Sequence, residues 1–257
     1  IVLKEIVNCQ YTACMNPTAG SFNITPRMQR QFVTLAVQMP GPEIVRSVYF
    51  QIIDGHLNGF DADVAKMSNK LVDATIELHR LVMNNFLPSA VKFHYQFNLR
   101  EMSNISQGLC RTIKEYYKQP IALARLWVHE CERVFRDRMV NEADMQKFDE
   151  FRFAVTKKYF DDCGGITAID ERPLLMTSFM VSTPEDVPVY CAVPTYEVLK
   201  KALDDKLREY NESNAVMDLV LFQQAMEHIT RIARIIDLPR GNAMLVGVGG
   251  SGKQSLS

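Results

Sequence analysis

Gly247-Val-Gly-Gly-Ser-Gly252-Lys253-Gln254-Ser255 places four glycines and one lysine within nine residues, a spacing suited to gripping a polyphosphate. Gly249, Gly250 and Gly252 can adopt positive φ and leave room for phosphate oxygens against the backbone. Successive N–H groups then point inward as an anion nest where a helix begins. Lys253 would neutralise the β- and γ-phosphates, with Gly247, Ser251 and Ser255 completing the loop. ATP or ADP with Mg²⁺ is therefore the expected cofactor. The position after the lysine, ordinarily Ser or Thr as a Mg²⁺ ligand, is Gln254. An amide oxygen can ligate a hard cation but is longer and sits differently, and Ser255 points elsewhere on the helix. Nucleotide binding is expected; ordinary metal geometry and fast hydrolysis are not, and the metal ligands stay unassigned.

Other residues carry weaker signals. Ile166-Thr-Ala-Ile-Asp170-Glu171 imitates the acidic strand that follows a phosphate loop, but it precedes the loop by about 80 residues and reads as a decoy. His129-Glu130 begins an HExxH pattern, but Arg133 stands where the second histidine belongs. Six cysteines occur without a CxxC pair, which suits reduced thiols better than disulfides or zinc. Asn16 before a proline, and Arg27, Arg30 and Arg100, are each unremarkable alone.

The elements that must position the loop are legible as periodicities. Residues 1–40 read as strand and loop, with strand runs at Tyr11–Met15 and 32–37 and a helical turn opened by Pro26. Helices are expected at 43–57 and 62–86. Asn98…Glu101 has capping-box spacing for a third, whose stripe is Met102, Ile105, Leu109 and Ile113. Pro120 introduces a fourth, with Leu123, Trp127, Cys131 and Val134 on one face and a Glu132–Arg136 pair on the other. A fifth spans 144–160 and stops at Cys163-Gly164-Gly165. Proline punctuation makes 166–194 a linker with a strand near 187–193. Helices at 196–210 and 215–236 follow, the latter with a stripe of Leu219, Phe222, Met226, Ile229, Ala233 and Ile236. Pro239-Arg-Gly241-Asn242 turns into a short strand, Ala243–Val246, ahead of the loop. The fold class is α/β and mostly helical: the end of one α/β core (1–40), a helical lid (41–165), then a linker and the start of a second core (166–257).

A net charge of −1 argues against nucleic acid or an anionic membrane as partner. No apolar run approaches the roughly 20 residues of a membrane span, and no charged n-region marks a signal peptide. Ile1 opens within an element and the last helix has a single turn, so the chain reads as a piece of something longer.

Taken together, the motifs change meaning. The order strand–Asn16, Pro26-Arg27-x-x-Arg30-x-Phe32, strand, then a helical lid with Arg100 in a capped first turn resembles the C-terminal half of an AAA+ module. Ala13-Cys-Met-Asn16-Pro-Thr-Ala-Gly20-Ser-Phe22, His94-Tyr-x-Phe97-Asn-Leu-Arg100-Glu and Leu126-Trp-x-His-Glu130-x-x-Arg133-Val resemble the third AAA+ module of dynein heavy chains. Val220-Leu-Phe222 through the glycine-rich loop resembles the entry to the fourth, in the axonemal style. The resemblance covers nearly the whole chain. It implies that Asn16 is a sensor-1 residue orienting the attacking water and Arg100 a sensor-2 arginine reporting the γ-phosphate. It further implies that Arg27 and Arg30 are arginine fingers reaching the nucleotide of the preceding module. Fixed cations aimed at developing charge are the chemistry arginine supplies. The implied function is an ATP-driven microtubule motor of cilia and flagella, in which this part binds nucleotide and couples neighbouring modules. These 257 residues alone are not expected to hydrolyse ATP. Implied partners are adjacent AAA+ modules and, through other parts of the chain, intermediate and light chains and microtubules; the implied location is the axoneme, within the cytoplasm and cytoskeleton. The rival expectations are another AAA+ ATPase, or a nucleotide-binding scaffold that does not hydrolyse, which Gln254 favours.

Overall fold

A computed structural model describes residues 7–16, 24–250 and 252–256. The chain separates into two compact units, Ile1–Pro40 and Gly41–Ser257. In the first, the only regular element among the described residues is α1, Pro26–Gln29, opened by a proline at its first position. A proline there has no N–H to leave unpaired and its φ is already helical. The strand runs at Tyr11–Met15 and 32–37 do not form: no strand is present over either run, and Val33, Leu35 and Val37 are 82–94% exposed. A strand is stabilised by its ladder and by side chains on neighbouring strands, and no partner strand lies beside them among the described residues.

The second unit is a helical assembly. Helices α2 (Pro42–Leu57), α3 (Ala62–Ala65), α4 (Met67–Asn85), α5 (Leu99–Leu109), α6 (Pro120–Val134) and α7 (Glu142–Phe160) share one core. The 62–86 prediction is met by two helices divided at Lys66, and 144–160 begins two residues earlier, at Glu142. Helix α5 carries the expected capping box: Asn98 Oδ1 accepts from the Arg100 N–H at 2.9 Å, and Glu101 Oε2 accepts from the Asn98 N–H at 2.6 Å. Met102, Ile105 and Leu109 are buried as their spacing requires, whereas Ile113 lies beyond the helix.

Helix α6 is the axis of the unit. Leu123, Trp127, Cys131 and Val134 are buried, but so are Leu126, Val128, His129, Glu130 and Glu132, so the helix is enclosed on more than one face. Trp127 stacks on Phe160 at 5.1 Å, and its indole N–H donates to Thr75 Oγ1 at 2.8 Å. Burying a side chain of that size removes 150–250 Å² from water, and truncating it would cost about 3–5 kcal/mol.

The expected Glu132–Arg136 pair does not occur. Glu132 faces inward and is bound by Arg172 (2.7 Å) and Arg152 (3.5 Å), while Arg136 pairs with Asp149 at 3.1 Å. Helical spacing brings two residues near each other but does not prevent a better partner on another element from taking one of them.

Beyond α7, Ile166–Ile169 forms a short helix, α8, so the acidic-strand imitation is helical, with Arg125 donating to the carbonyls of Ala168 and Glu171. The stretch read as a linker is a packed hairpin. Strands β1 (Met176–Thr177) and β2 (Cys191–Ala192) pair antiparallel with Met176 opposite Ala192, and Leu174, Met176 and Tyr190 enter the core around α6. The prolines punctuate turns because the intervening residues are apolar enough to be buried. Helices α9 (Tyr196–Ser213) and α10 (Gln223–Ile236) then enclose a smaller core of Leu175, Val193, Leu199, Leu203, Leu221 and Met226. Helix α10 starts eight residues later than expected, and its stripe is shifted. Ala225, Met226, Thr230, Ile232 and Arg234 are buried, while Phe222 and Ile236 are more than half exposed. A final turn, α11 (Lys253–Leu256), lies against α10.

Candidate functional site

The phosphate loop is reached through the turn that ends α10. The Gly241 N–H donates to the Leu238 carbonyl at 2.8 Å, and a Cβ on Gly241 would overlap the Ile235 carbonyl, so only glycine permits this turn. Ala243–Val246 forms no strand, with Met244 and Val246 84% and 87% exposed. As at 32–37, no neighbouring ladder lies beside it among the described residues.

Two of the three loop glycines expected at positive φ adopt it, and Gly249 does not. Gly250 and Gly252 sit at φ 76° and 77°, and Gly249 and Gly250 have nothing within 4 Å of where a Cβ would project. Lys253 begins α11 and folds back over the loop, its Nζ donating to the carbonyls of Gly247 at 2.8 Å and Val248 at 2.6 Å. The ammonium therefore lies over the glycine segment, where a phosphate oxygen would compete with two neutral carbonyls for it. A charged acceptor makes the stronger hydrogen bond. Gly247 and Gly249 are exposed, as are Gln254 and Ser255 on the outer side of the turn; Ser251 lies outside the described residues. No group of three or more His, Cys, Asp or Glu side chains that could hold a metal occurs among the described residues.

The remaining predicted residues are dispersed. Asn16 lies outside any regular element, and Arg27 and Arg30 lie one turn apart on and just after α1; all three are exposed and belong to the first unit, whereas Arg100 and the loop belong to the second. Arg100 is exposed on the first turn of α5, its position set by the Asn98 cap.

What single-residue reasoning missed is a buried polar network between the helical layer and the approach to the loop. Glu130, fully buried on α6, accepts from Tyr190 Oη at 2.7 Å and from Arg234 Nε at 3.2 Å, and pairs with Arg234 Nη2. Burial opposes charge on Arg234, but the Glu130 carboxylate overcomes it and holds the guanidinium above its ordinary range. Burial, then the same carboxylate, pushes the Tyr190 phenol well up. A Cβ on Gly108 would overlap the Glu130 carboxylate, so the glycine admits it. His129 Nδ1 bonds the Leu174 carbonyl at 3.1 Å, and burial followed by the charge of Arg133 holds the ring well below its usual pKa. The available signal was local: a charged run, His129-Glu130-Cys131-Glu132-Arg133, on a helix whose other face is apolar.

These features define the class: an AAA+ lid followed by the phosphate loop of a P-loop NTPase. The family model of the AAA+ lid domain matches residues 71–168, that of the P-loop containing dynein motor region D4 matches 217–257, and that of the P-loop containing dynein motor region matches 1–40. Across its full length the chain is 79% identical to the flagellar outer-arm dynein beta chain of Chlamydomonas reinhardtii. It is 49% identical to dynein axonemal heavy chain 17 of Homo sapiens and 47% identical to the ciliary dynein beta chain of Tripneustes gratilla, again across its full length. The chain is thus similar along its whole length to one segment of axonemal dynein heavy chains, and it spans about 6% of the length of these relatives.

Proposed function

We propose that the chain is the junction of the third and fourth AAA+ modules of an ATP-driven microtubule motor, where it binds nucleotide and couples the state of one module to the next. Residues 1–40 would close the third module's α/β core, 41–165 form its lid, and 166–257 lead into the fourth module. The observation that carries this reading is the glycine loop with Lys253 folded over it, downstream of a lid-type helical layer and of the hairpin, α9 and α10 that follow it.

In this reading the loop N–H groups and Lys253 hold the β- and γ-phosphates of ATP or ADP. Mg²⁺, when bound, would neutralise phosphate charge. Gln254 stands where its hydroxyl ligand is ordinarily found, which favours retention of nucleotide over fast turnover at this site. Asn16 and Arg100 would act on the third module's nucleotide, orienting water and reporting the γ-phosphate, and Arg27 and Arg30 on that of the preceding module. The working location is the axoneme of a cilium or flagellum, supported by the flagellar and ciliary names of the relatives. Microtubules and the intermediate and light chains would be engaged through other parts of the heavy chain.

The test is Lys253→Ala in the full-length heavy chain. ATP should cease to protect residues 243–256 from hydrogen exchange, and microtubule gliding speed should change. Unchanged protection by ATP would overturn the nucleotide-site reading; lost protection with unchanged gliding would leave a bound-nucleotide scaffold instead of a regulator.

A further inference from the structure

The last turn of α10 is held by polar contacts from the lid helices, at the point where the chain leaves for the phosphate loop. Arg234 reaches 104 positions back in sequence to Glu130, which is fully buried in the middle of α6. Three residues on, Asp237 caps the same turn and accepts from Arg111 Nη2 at 3.1 Å, just past α5, and from the Ser178 hydroxyl. Tyr190 joins the two sets: its hydroxyl donates to Glu130, and the Arg111 guanidinium lies 4.0 Å over its ring. Beyond Asp237 the chain makes the tight glycine turn at Gly241, and α11, which begins at Lys253, lies back against α10, so displacement of the anchored helix end reaches the loop through that packing.

We infer that Arg234 and Asp237 are positioning residues for the phosphate loop, anchored by Glu130 and Arg111, and that the charge on Glu130 helps set how tightly the loop holds nucleotide. The inference rests on the nucleotide-site reading above and adds to it the lid residues that control the site. A phosphate cradle binds by pre-organised N–H groups, so loosening its anchor lowers affinity without removing any group that touches phosphate. The bidentate fork of Arg234 fixes orientation as well as distance, which a lysine at that position would not do.

The experiment is ATP titration of the full-length heavy chain, followed by hydrogen-exchange protection of residues 243–256. Glu130→Gln keeps shape and removes charge; Tyr190→Phe removes one hydrogen bond and keeps the charge; Arg234→Lys keeps charge and loses the fork. Glu130→Gln and Arg234→Lys should move the ATP concentration at half-protection up by about tenfold, and Tyr190→Phe by less, with exchange in α4 to α6 unchanged without nucleotide. Full protection by ATP at the wild-type midpoint in these variants would overturn the inference while leaving the site intact. Should Glu130→Gln fail to fold, the decision falls to Tyr190→Phe and Arg234→Lys. Absence of ATP protection in the wild-type chain would instead overturn the underlying nucleotide reading.

Discussion

Glu130 is an acid that an apolar environment would reject unless its oxygens were satisfied, and here both are occupied by Arg234 and Tyr190. Its neighbour across the helix interface is therefore constrained. Gly108→Ala should destabilise the second unit by about 1–3 kcal/mol, because the added methyl overlaps the carboxylate and α5 must retreat; a chemical-denaturation midpoint measures it. An unchanged midpoint would mean that the two helices separate freely. His129 gives a signed pH effect. Its folded pKa is depressed by burial and by Arg133, so the unfolded chain takes up a proton first as pH falls. Stability is fully present above about pH 6.5, the ordinary imidazole value, and declines below it. His129→Gln should flatten that decline in melting curves recorded between pH 7.5 and 5, whatever it does to stability at neutral pH.

At the scale of elements, the stripe of α5 holds it in the core and the cap fixes where it starts. Asn98 supplies the side-chain acceptor, Glu101 returns the bond, and the Asn98 carbonyl meets His79 Nε2 at 2.9 Å, tying the helix start to α4. Asn98→Ala should cost about 1 kcal/mol of stability by urea titration. Because Arg100 sits on that first turn, the same change should increase amide exchange at residues 99–102; unaltered exchange there would mean that packing alone sets the helix start. The capping box was legible in the sequence because both halves of it are local. The Glu132–Arg136 pair was misread for the opposite reason: the competing partners, Arg152 and Arg172, arrive from α7 and from the chain before β1. Residues 166–194 looked like a connection because proline spacing is a local signal, whereas the burial of Leu174, Met176 and Tyr190 is not.

At the scale of the molecule, the hydrophobic core begins at Val45 and draws on no described residue before it. A chain of residues 41–257 should accordingly melt cooperatively, within about 2–4 °C of residues 1–257, the shift corresponding to roughly 1 kcal/mol for a chain of this size. Loss of a cooperative transition would show that the first unit is needed to complete the second. The 257-residue chain should show no ATP turnover above background, since among the described residues no sheet strand lies next to the loop. Measurable turnover would contradict the division of catalytic parts proposed above.

The glycine loop, the capped helix carrying Arg100 and the approximate spans of the helices between residues 42 and 160, apart from the division at Lys66, were legible in the sequence alone. Each depends on residues within a few positions of one another, where backbone geometry and 3.6-residue periodicity suffice. The tertiary structure alone decided which charges are buried and with whom, that the proline-rich stretch is a packed hairpin, and that three strand-like runs form no strand. Ion pairs bridging some 100 residues and ladders between strands are set by chain packing, and their energy depends on the desolvation and neighbours that packing creates.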